Sequence, residues 1–218
     1  MRIACVGYRD WALNIYLKLQ KTLFDHKVFI HSSENNFSIK QLIDFEPDLI
    51  LFYGWSKVIP SKLVDNFICL MLHPSPLPKY RGGSPIQNQI IRGEVNSAVT
   101  IFIMDNGIDT GPISRQKFLS LRGNLSDILM SIQKIGYDLT LDIIDNGLNS
   151  YEQDHLNATF YKRLKPSMSE ISIKELTTFS GTYLHNKIRM LQDPYPNAYI
   201  KTADNKKLYI INTEIKDD

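Results

Sequence analysis

The stretch MLHPSPLPKYRGGSPIQ, residues 71–87, holds one histidine, four prolines and two adjacent glycines. It overlaps an apolar run, NFICLMLH, that predicts a buried strand ending at His73. Proline fixes φ, and glycine allows the backbone to pass close to another group. The sequence therefore predicts a strand with a histidine at its end, followed by a rigid loop that forms neither helix nor strand.

Strands and helices are predicted to alternate around this stretch. The predicted strands are RIACVG, HKVFIHSS, DLILFYG, NFICLMLH, AVTIFIMD and PISRQKFLSL. Between them, DWALNIYLKLQKTL, SIKQLIDFEP and PIQNQIIRG favour helices, and a long amphipathic helix follows with Ser126 as its N-cap and Gly147 as its stop. This alternation is typical of an α/β domain with a mostly parallel sheet, which we place at residues 1–150.

The remaining residues, 151–218, predict a smaller C-terminal subdomain. SGTYLHNKIRMLQ favours a helix, and DPYPNAYIKTADNKKLYIINTEI favours a β-hairpin that turns at Ala203, Asp204 and Asn205. An isolated hairpin is marginally stable, so this one is expected to pack against another surface. We assign it a role in substrate binding and dimerisation.

Composition excludes several classes of function. The formal net charge is +2 without a basic block, which argues against a nucleic-acid partner. Cys5 and Cys69 lie in apolar runs and are predicted to be buried free thiols in a reducing compartment. No apolar run approaches the length of a signal or membrane segment, so we expect a soluble cytoplasmic protein. The histidines and cysteines lack zinc-ligand spacing, and the Walker, GxSxG and GxGxxG motifs are absent.

The candidate site combines His73 with Asp109. Ligands of open parallel sheets bind at the carboxyl ends of strands, and both residues follow predicted strands. A histidine beside an aspartate can act as a general base with an orienting partner. The alternative is a structural histidine that only hydrogen-bonds a loop carbonyl.

Two motifs carry a family resemblance. HPSPLPKYRGGSPIQ and VTIFIMDNGIDTGPI resemble the formyltransferases that use N10-formyltetrahydrofolate, including the 36-residue separation of His73 and Asp109. The tail YKRLKPSMSEIS with LHNKIRMLQDPYPNAYI is most similar to sugar-nucleotide N-formyltransferases. The resemblance implies a Rossmann-like fold, a homodimer, and transfer of a formyl group to a dTDP-linked amino-dideoxyhexose for surface polysaccharide (O-antigen). Alternatives are a methionyl-tRNA or glycinamide ribonucleotide formyltransferase, or a non-catalytic folate- or nucleotide-sugar-binding homologue.

The resemblance also implies residue roles, without a metal or a membrane. His73 is the acid/base, and Asp109 orients it and helps to remove the amine proton. Expected folate-site residues are Trp55, Ser56, Lys57, Gly83, Asp105, Asn106, Gly107, Ile108 and Asp109. Expected nucleotide-sugar ligands are Lys79, Arg81, Asn186, Arg189 and Tyr195.

Position 71 departs from the family pattern, which has an asparagine two residues before the histidine. Strand alternation places Met71 on the same face as His73, so it should border the site. A thioether donates no hydrogen bond to a formyl oxygen. Three interpretations stay open: a slower enzyme, replacement by another amide such as Asn88 or Asn106, or loss of catalysis.

Overall fold

The computed structural model of the 218-residue chain describes residues 1–216 and is built around a six-stranded sheet of order β2-β1-β3-β4-β6-β7. The strands are β1 Arg2–Val6, β2 Lys27–His31, β3 Leu49–Phe52, β4 Cys69–His73, β5 Arg81–Gly82, β6 Asn96–Ile103, β7 Ile113–Ser120, β8 Phe160–Tyr161, β9 Ala198–Lys201 and β10 Lys207–Ile210. The first four strands of the sheet are parallel, whereas β6 and β7 pair antiparallel. The predicted mostly parallel α/β class is confirmed.

The predicted helices all form, together with two short helices that the sequence pattern did not predict, Ser61–Val64 and Ile173–Thr178. The helices are α1 Asp10–Thr22, α2 Ile39–Phe45, α3 Ser61–Val64, α4 Pro85–Ile91, α5 Leu125–Asn146, α6 Ile173–Thr178 and α7 Gly181–Arg189. The prediction of Ser126 as the N-cap of α5 is wrong, because Asn124 holds the extended N-cap conformation and Ser126 is already helical. Gly147 does end the helix, with a φ of 83°.

The loop after β4 is more regular than predicted. Its residues Arg81–Gly82 form β5, which pairs in parallel with β8 from the C-terminal part of the chain. A Cβ atom at Gly83 would lie 2.5 Å from Cα of Arg163, so glycine is required here by a backbone of the same chain. The glycines therefore bring the C-terminal segment to the end of β4.

The C-terminal segment shares the main core instead of forming a separate one. Ile171, Ile188, Leu191 and Ala198 pack in the same cluster of buried residues as β1, α1 and α5. The predicted hairpin forms from β9 and β10, with β9 largely buried and Leu208 and other β10 side chains exposed.

Both cysteines are buried free thiols, as predicted, and burial raises the pKa of Cys69 to about 12. Within residues 1–216, no helix combines the length and the apolar character needed to cross a bilayer.

Candidate active site

His73 is held rigidly at the end of β4. Its side chain is almost fully buried, and its Nε2 lies 2.8 Å from the carbonyl oxygen of Tyr80. A carbonyl only accepts hydrogen bonds, so we assign the ring proton of neutral His73 to Nε2. Nδ1 is then the nitrogen that can gain or release a proton.

Asp109 faces that nitrogen, but it arrives by a different route from the one predicted. Because β6 is antiparallel to β4, the end of β6 lies beside the beginning of β4 and not beside His73. The loop from Met104 to Gly111 folds back and brings Asp109 Oδ2 to 3.6 Å from Nδ1 of His73. This separation is longer than a hydrogen bond, so the two groups lie close without a direct bond.

The position of Asp109 is fixed by several hydrogen bonds. Oδ2 accepts from the backbone N–H of Gly82 at 2.7 Å, and the backbone carbonyl accepts from Gln153 at 3.0 Å. Asp109 adopts a left-handed φ of 55°, in a loop where Asp105 accepts hydrogen bonds from Gly107 N–H and the Thr110 hydroxyl. The carboxylate is therefore preorganised beside His73.

A cavity of about 970 Å³ opens at this pair, and we divide its lining by chemistry into two parts. We call the first the apolar lobe; its walls are Trp55, Ile59, Val64, Met71, Phe102, Met104 and Ile108. Most of these side chains pack on the sheet face that carries Met71 and His73. The buried Trp55 indole N–H has no hydrogen-bond partner among the described residues.

We call the second the basic lobe. It is lined by Arg9, Trp11, Gly82–Gln87, Arg163–Pro166, Leu191 and Pro194–Pro196. Arg9 lies over the rings of Tyr8 and Tyr195, and Arg163 donates to the carbonyl of Ser56. Within residues 1–216, neither these arginines nor Lys165 pairs with a carboxylate. The lobe thus presents uncompensated positive charge.

The structure brings twelve of the predicted site residues to the cavity. They are Met71, His73, Trp55, Ser56, Lys57, Gly83, Asp105, Asn106, Gly107, Ile108, Asp109 and Tyr195. Their contact with any ligand stays a prediction.

Four predicted ligands lie outside the cavity lining. Lys79 is exposed on the outer side of the loop. Arg81 is buried and donates to Gln153 Oε1 at 2.6 Å, so it supports the residue that holds Asp109. Arg189 donates to Asn186 and to the carbonyl of Leu121 at the end of β7. Arg81 and Arg189 therefore use their guanidinium groups on oxygen atoms of the protein itself.

Met71 borders the cavity, as predicted. Neither Asn88 nor Asn106 has a free amide that could take the role of the family asparagine at position 71. Asn88 lies outside the lining and uses its amide nitrogen on the carbonyl of Gly83 at 2.8 Å. Asn106 lines the cavity but is exposed and donates to Asp65 at 3.1 Å.

Sequence reasoning missed Arg9, Gln87, Arg163 and Lys165 in the lining. Arg9 follows a predicted strand, which is a signal that could have singled it out. Nothing local marks Arg163 and Lys165, because they reach the cavity only through the pairing of β8 with β5. Among the described residues, no group of three or more His, Cys, Asp or Glu side chains could hold a metal ion.

The comparison with known families decides where the chain belongs. The formyl transferase family profile matches residues 16–126, just over half of the chain. This chain belongs to the formyl transferase family. The matched region contains His73, Asp109 and most of the apolar lobe, so the recognised formyltransferase motifs coincide with the cavity.

Relatives of this formyltransferase chain agree with that assignment. A methionyl-tRNA formyltransferase of Clostridium novyi is 33% identical over 78% of this chain and 57% of its own length. One from Syntrophomonas wolfei is 29% identical over 82% and 56%, respectively. The chain thus spans just over half the length of the curated relatives it matches.

Solved structures show the same fold. Methionyl-tRNA formyltransferase from Clostridium thermocellum superposes with a TM-score of 0.86 at 29% identity, covering 96% of this chain and 97% of that one. A 4-N formyltransferase from Francisella tularensis gives a TM-score of 0.80 at 20% identity, covering 100% and 98%, and indicates the fold alone.

Proposed function

We propose that this formyltransferase-family chain moves a formyl group from N10-formyltetrahydrofolate to a primary amine. The observation that carries the proposal is His73 Nδ1, held beside Asp109 in the wall of this cavity. The apolar lobe fits a flat heteroaromatic donor, because aromatic and aliphatic side chains line it. Trp55, Ile108 and the loop around Asp105 would hold it.

His73 supports the proton transfers that this reaction requires. The attacking amine must lose a proton, and the nitrogen that leaves the formyl carbon must gain one. Nδ1 is the nitrogen free to take this proton, because Nε2 donates its own proton to the carbonyl of Tyr80. Asp109 stabilises the imidazolium that forms when Nδ1 takes the amine proton, and Nδ1 then returns the proton to the departing nitrogen.

The basic lobe supports an anionic acceptor. Arg9, Arg163 and Lys165 lack carboxylate partners within residues 1–216, and guanidinium groups bind phosphate oxygens bidentately. Tyr195 lies in the same lobe and offers a ring that could cover a base. Our first candidate is therefore a nucleotide-linked amino sugar, such as a dTDP-linked amino-dideoxyhexose of surface-polysaccharide synthesis, with the chain acting as a homodimer.

A second candidate acceptor is methionyl-tRNA. The names of the curated relatives favour it, as does the 29% identical structure from Clostridium thermocellum. An exposed basic lobe could also contact the phosphate at the end of a tRNA.

The deciding experiment is a turnover assay with N10-formyltetrahydrofolate, followed by the absorbance of the released folate. Acceptors are dTDP-linked 3-amino- and 4-amino-dideoxyhexoses, methionyl-tRNA and glycinamide ribonucleotide, each with His73→Asn as the inactive control. Turnover of a dTDP-amino sugar supports the first candidate, and turnover of methionyl-tRNA alone selects the second. Tetrahydrofolate binding without turnover of any acceptor would instead support a non-catalytic binding homologue.

A further inference from the structure

Gln87 is a buried amide in the cavity wall that the protein leaves unbonded. It lies in the first turn of α4, lines the cavity, and is only 3% exposed. Within residues 1–216 its side chain forms no hydrogen bond, and its Nε2 is buried without a partner. Buried amides are normally satisfied, so this one needs an explanation.

The next two residues of α4, Asn88 and Gln89, also carry side-chain amides, and both form hydrogen bonds within the protein. Asn88 donates to the carbonyl of Gly83 and accepts from Arg92. Gln89 donates to the carbonyls of Pro74 and Pro85 and accepts from the Ser97 hydroxyl. Of these three neighbours, only Gln87 lines the cavity, and only Gln87 is unbonded.

The location of Gln87 indicates which ligand would form hydrogen bonds with its side-chain amide. It ends the wall Gly82–Gln87, which begins where Gly82 N–H holds Asp109. Its neighbour Ile86 packs in the same cluster as Trp11, Leu191 and Tyr195, which all line the basic lobe. We therefore assign Gln87 to the wall of the basic lobe, together with the residues Gly82–Ile86 that precede it.

We propose that Gln87 determines acceptor specificity by hydrogen-bonding a polar group of the acceptor in the basic lobe. A primary amide both donates and accepts, so it suits a hydroxyl group, as on a sugar ring, or a carbonyl group. This inference rests on the acceptor site of the proposed function. The inference adds Gln87 to that site, as a residue whose side-chain amide is unbonded in the protein and would bind the acceptor.

The test compares Gln87→Met, which keeps the side-chain size, with wild type and with Gln89→Met. Without ligand, we expect Gln87→Met to melt at or above the wild-type Tm, since it removes an unsatisfied amide, whereas Gln89→Met should melt lower. We expect the KM for the dTDP-amino sugar to rise about 10-fold or more in Gln87→Met. The kcat and the KM for N10-formyltetrahydrofolate should stay near wild type.

The outcomes that would overturn the inference differ from those that would overturn the proposed function. An unchanged acceptor KM, or a rise in the folate KM instead, would overturn it. If wild type turns over none of the acceptors, the proposed function fails separately, and the ligand-free Tm decides about Gln87. A clear fall in the Tm of Gln87→Met would then show that the amide serves the fold, whereas a Tm at or above wild type keeps it available for a ligand.

Discussion

At the scale of single residues, the site depends on which nitrogen of His73 is free to take a proton. The carbonyl of Tyr80 retains the proton on Nε2, and Nδ1 is left facing Asp109. The tyrosine that supplies this carbonyl is itself anchored: burial and a hydrogen bond to Glu94 raise the pKa of its phenol, which stays protonated as the donor. The orientation of His73 thus comes from the loop backbone, and Asp109 is free to act on the proton.

We expect His73→Asn and Asp109→Asn each to lower kcat by at least about 100-fold, because each removes part of the proton relay. The measurement is kcat in the folate absorbance assay, with the Tm recorded to show that the variants fold. His26→Asn, at a histidine remote from the cavity lining, is the matched control and should retain wild-type kcat. Turnover near wild type in either site variant would remove the proposed mechanism.

Met71 sets the second prediction at this scale. Asn88 is committed to Gly83 and Asn106 to Asp65, so neither of these two amides is free to replace an asparagine at position 71. We expect Met71→Asn to raise kcat/KM, by up to about 10²–10³-fold for a restored oxyanion donor. Met71→Leu keeps the volume without adding a donor and should leave kcat/KM near wild type. No gain in Met71→Asn, together with a lowered Tm, would mean that another group already binds the formyl oxygen.

At the scale of elements, the pairing of β5 with β8 assembles the cavity. It carries Arg163 to the end of β4, beside Gly83, where the backbones nearly touch. The pairing therefore joins the loop after His73 to the basic lobe.

We expect Gly83→Ala to lower the Tm and to raise the acceptor KM, because a Cβ there lies 2.5 Å from Cα of Arg163 and forces the strands apart. Gly181→Ala, where no atom lies within 4 Å of the added Cβ, is the matched control. It should be neutral or slightly stabilising, since alanine restricts the unfolded chain. A Gly83→Ala variant with wild-type Tm and KM would contradict this role of the pairing.

The second element-scale prediction concerns the ion pair that joins α6 to α7. The buried Lys187 donates to Glu175 and to the carbonyl of Glu170, both at 2.6 Å. Burial opposes ionisation of Glu175, but the Lys187 and Ser172 hydrogen bonds outweigh it and lower its pKa from 4.5. A lowered folded-state pKa stabilises the protein at pH values above 4.5, and this stabilisation is lost as the pH falls through the folded pKa.

We therefore expect Glu175→Gln to reduce the free energy of unfolding by about 1.5–3 kcal/mol at pH 7. The difference from wild type should shrink as the pH is lowered below 4.5, as urea unfolding at several pH values would show. Glu214→Gln, in an exposed pair with Lys216, is the control and should change stability by less than about 1 kcal/mol. A difference that is constant with pH would argue against the ion pair as the cause.

At the scale of the whole molecule, the C-terminal hairpin carries exposed apolar side chains. Strand β9 packs on the core, whereas the β10 side carries Leu208, Tyr209 and Ile211 at 53–66% exposure. β10 ends its two-stranded sheet, and exposed apolar strand edges tend to pair with another chain. A second copy of this chain would cover these side chains.

We expect light scattering at micromolar concentration to give a homodimer, about twice the 25.1 kDa chain. Leu208→Glu combined with Ile211→Glu should shift the protein to the monomer, because it places charges on the contact face. Phe24→Glu, at an even more exposed apolar side chain that follows α1, is the control and should leave the dimer intact. A wild-type monomer would refute the predicted assembly.

Sequence alone determined the features that depend on local pattern. The alternation of apolar runs with amphipathic segments predicted the sheet strands and main helices, since burial demands that periodicity. The motif around His73 and the motif ending at Asp109 pointed to the family, and strand alternation placed Met71 at the cavity. These inferences need only neighbours along the chain.

The tertiary structure decided what depends on partners distant in sequence. Because β6 runs antiparallel to β4, Asp109 comes close to His73 only through a loop that folds back. Arg81, which was predicted to bind the nucleotide sugar, donates to Gln153 instead. Arg163 lines the site because β8 pairs with β5. Only the packing of α4 shows that the amide of Gln87 is unbonded, whereas the next two amides are bonded. The physical reason is that hydrogen bonds and charge pairs form over a few ångströms, and only the folded chain shows which polar groups it has already satisfied.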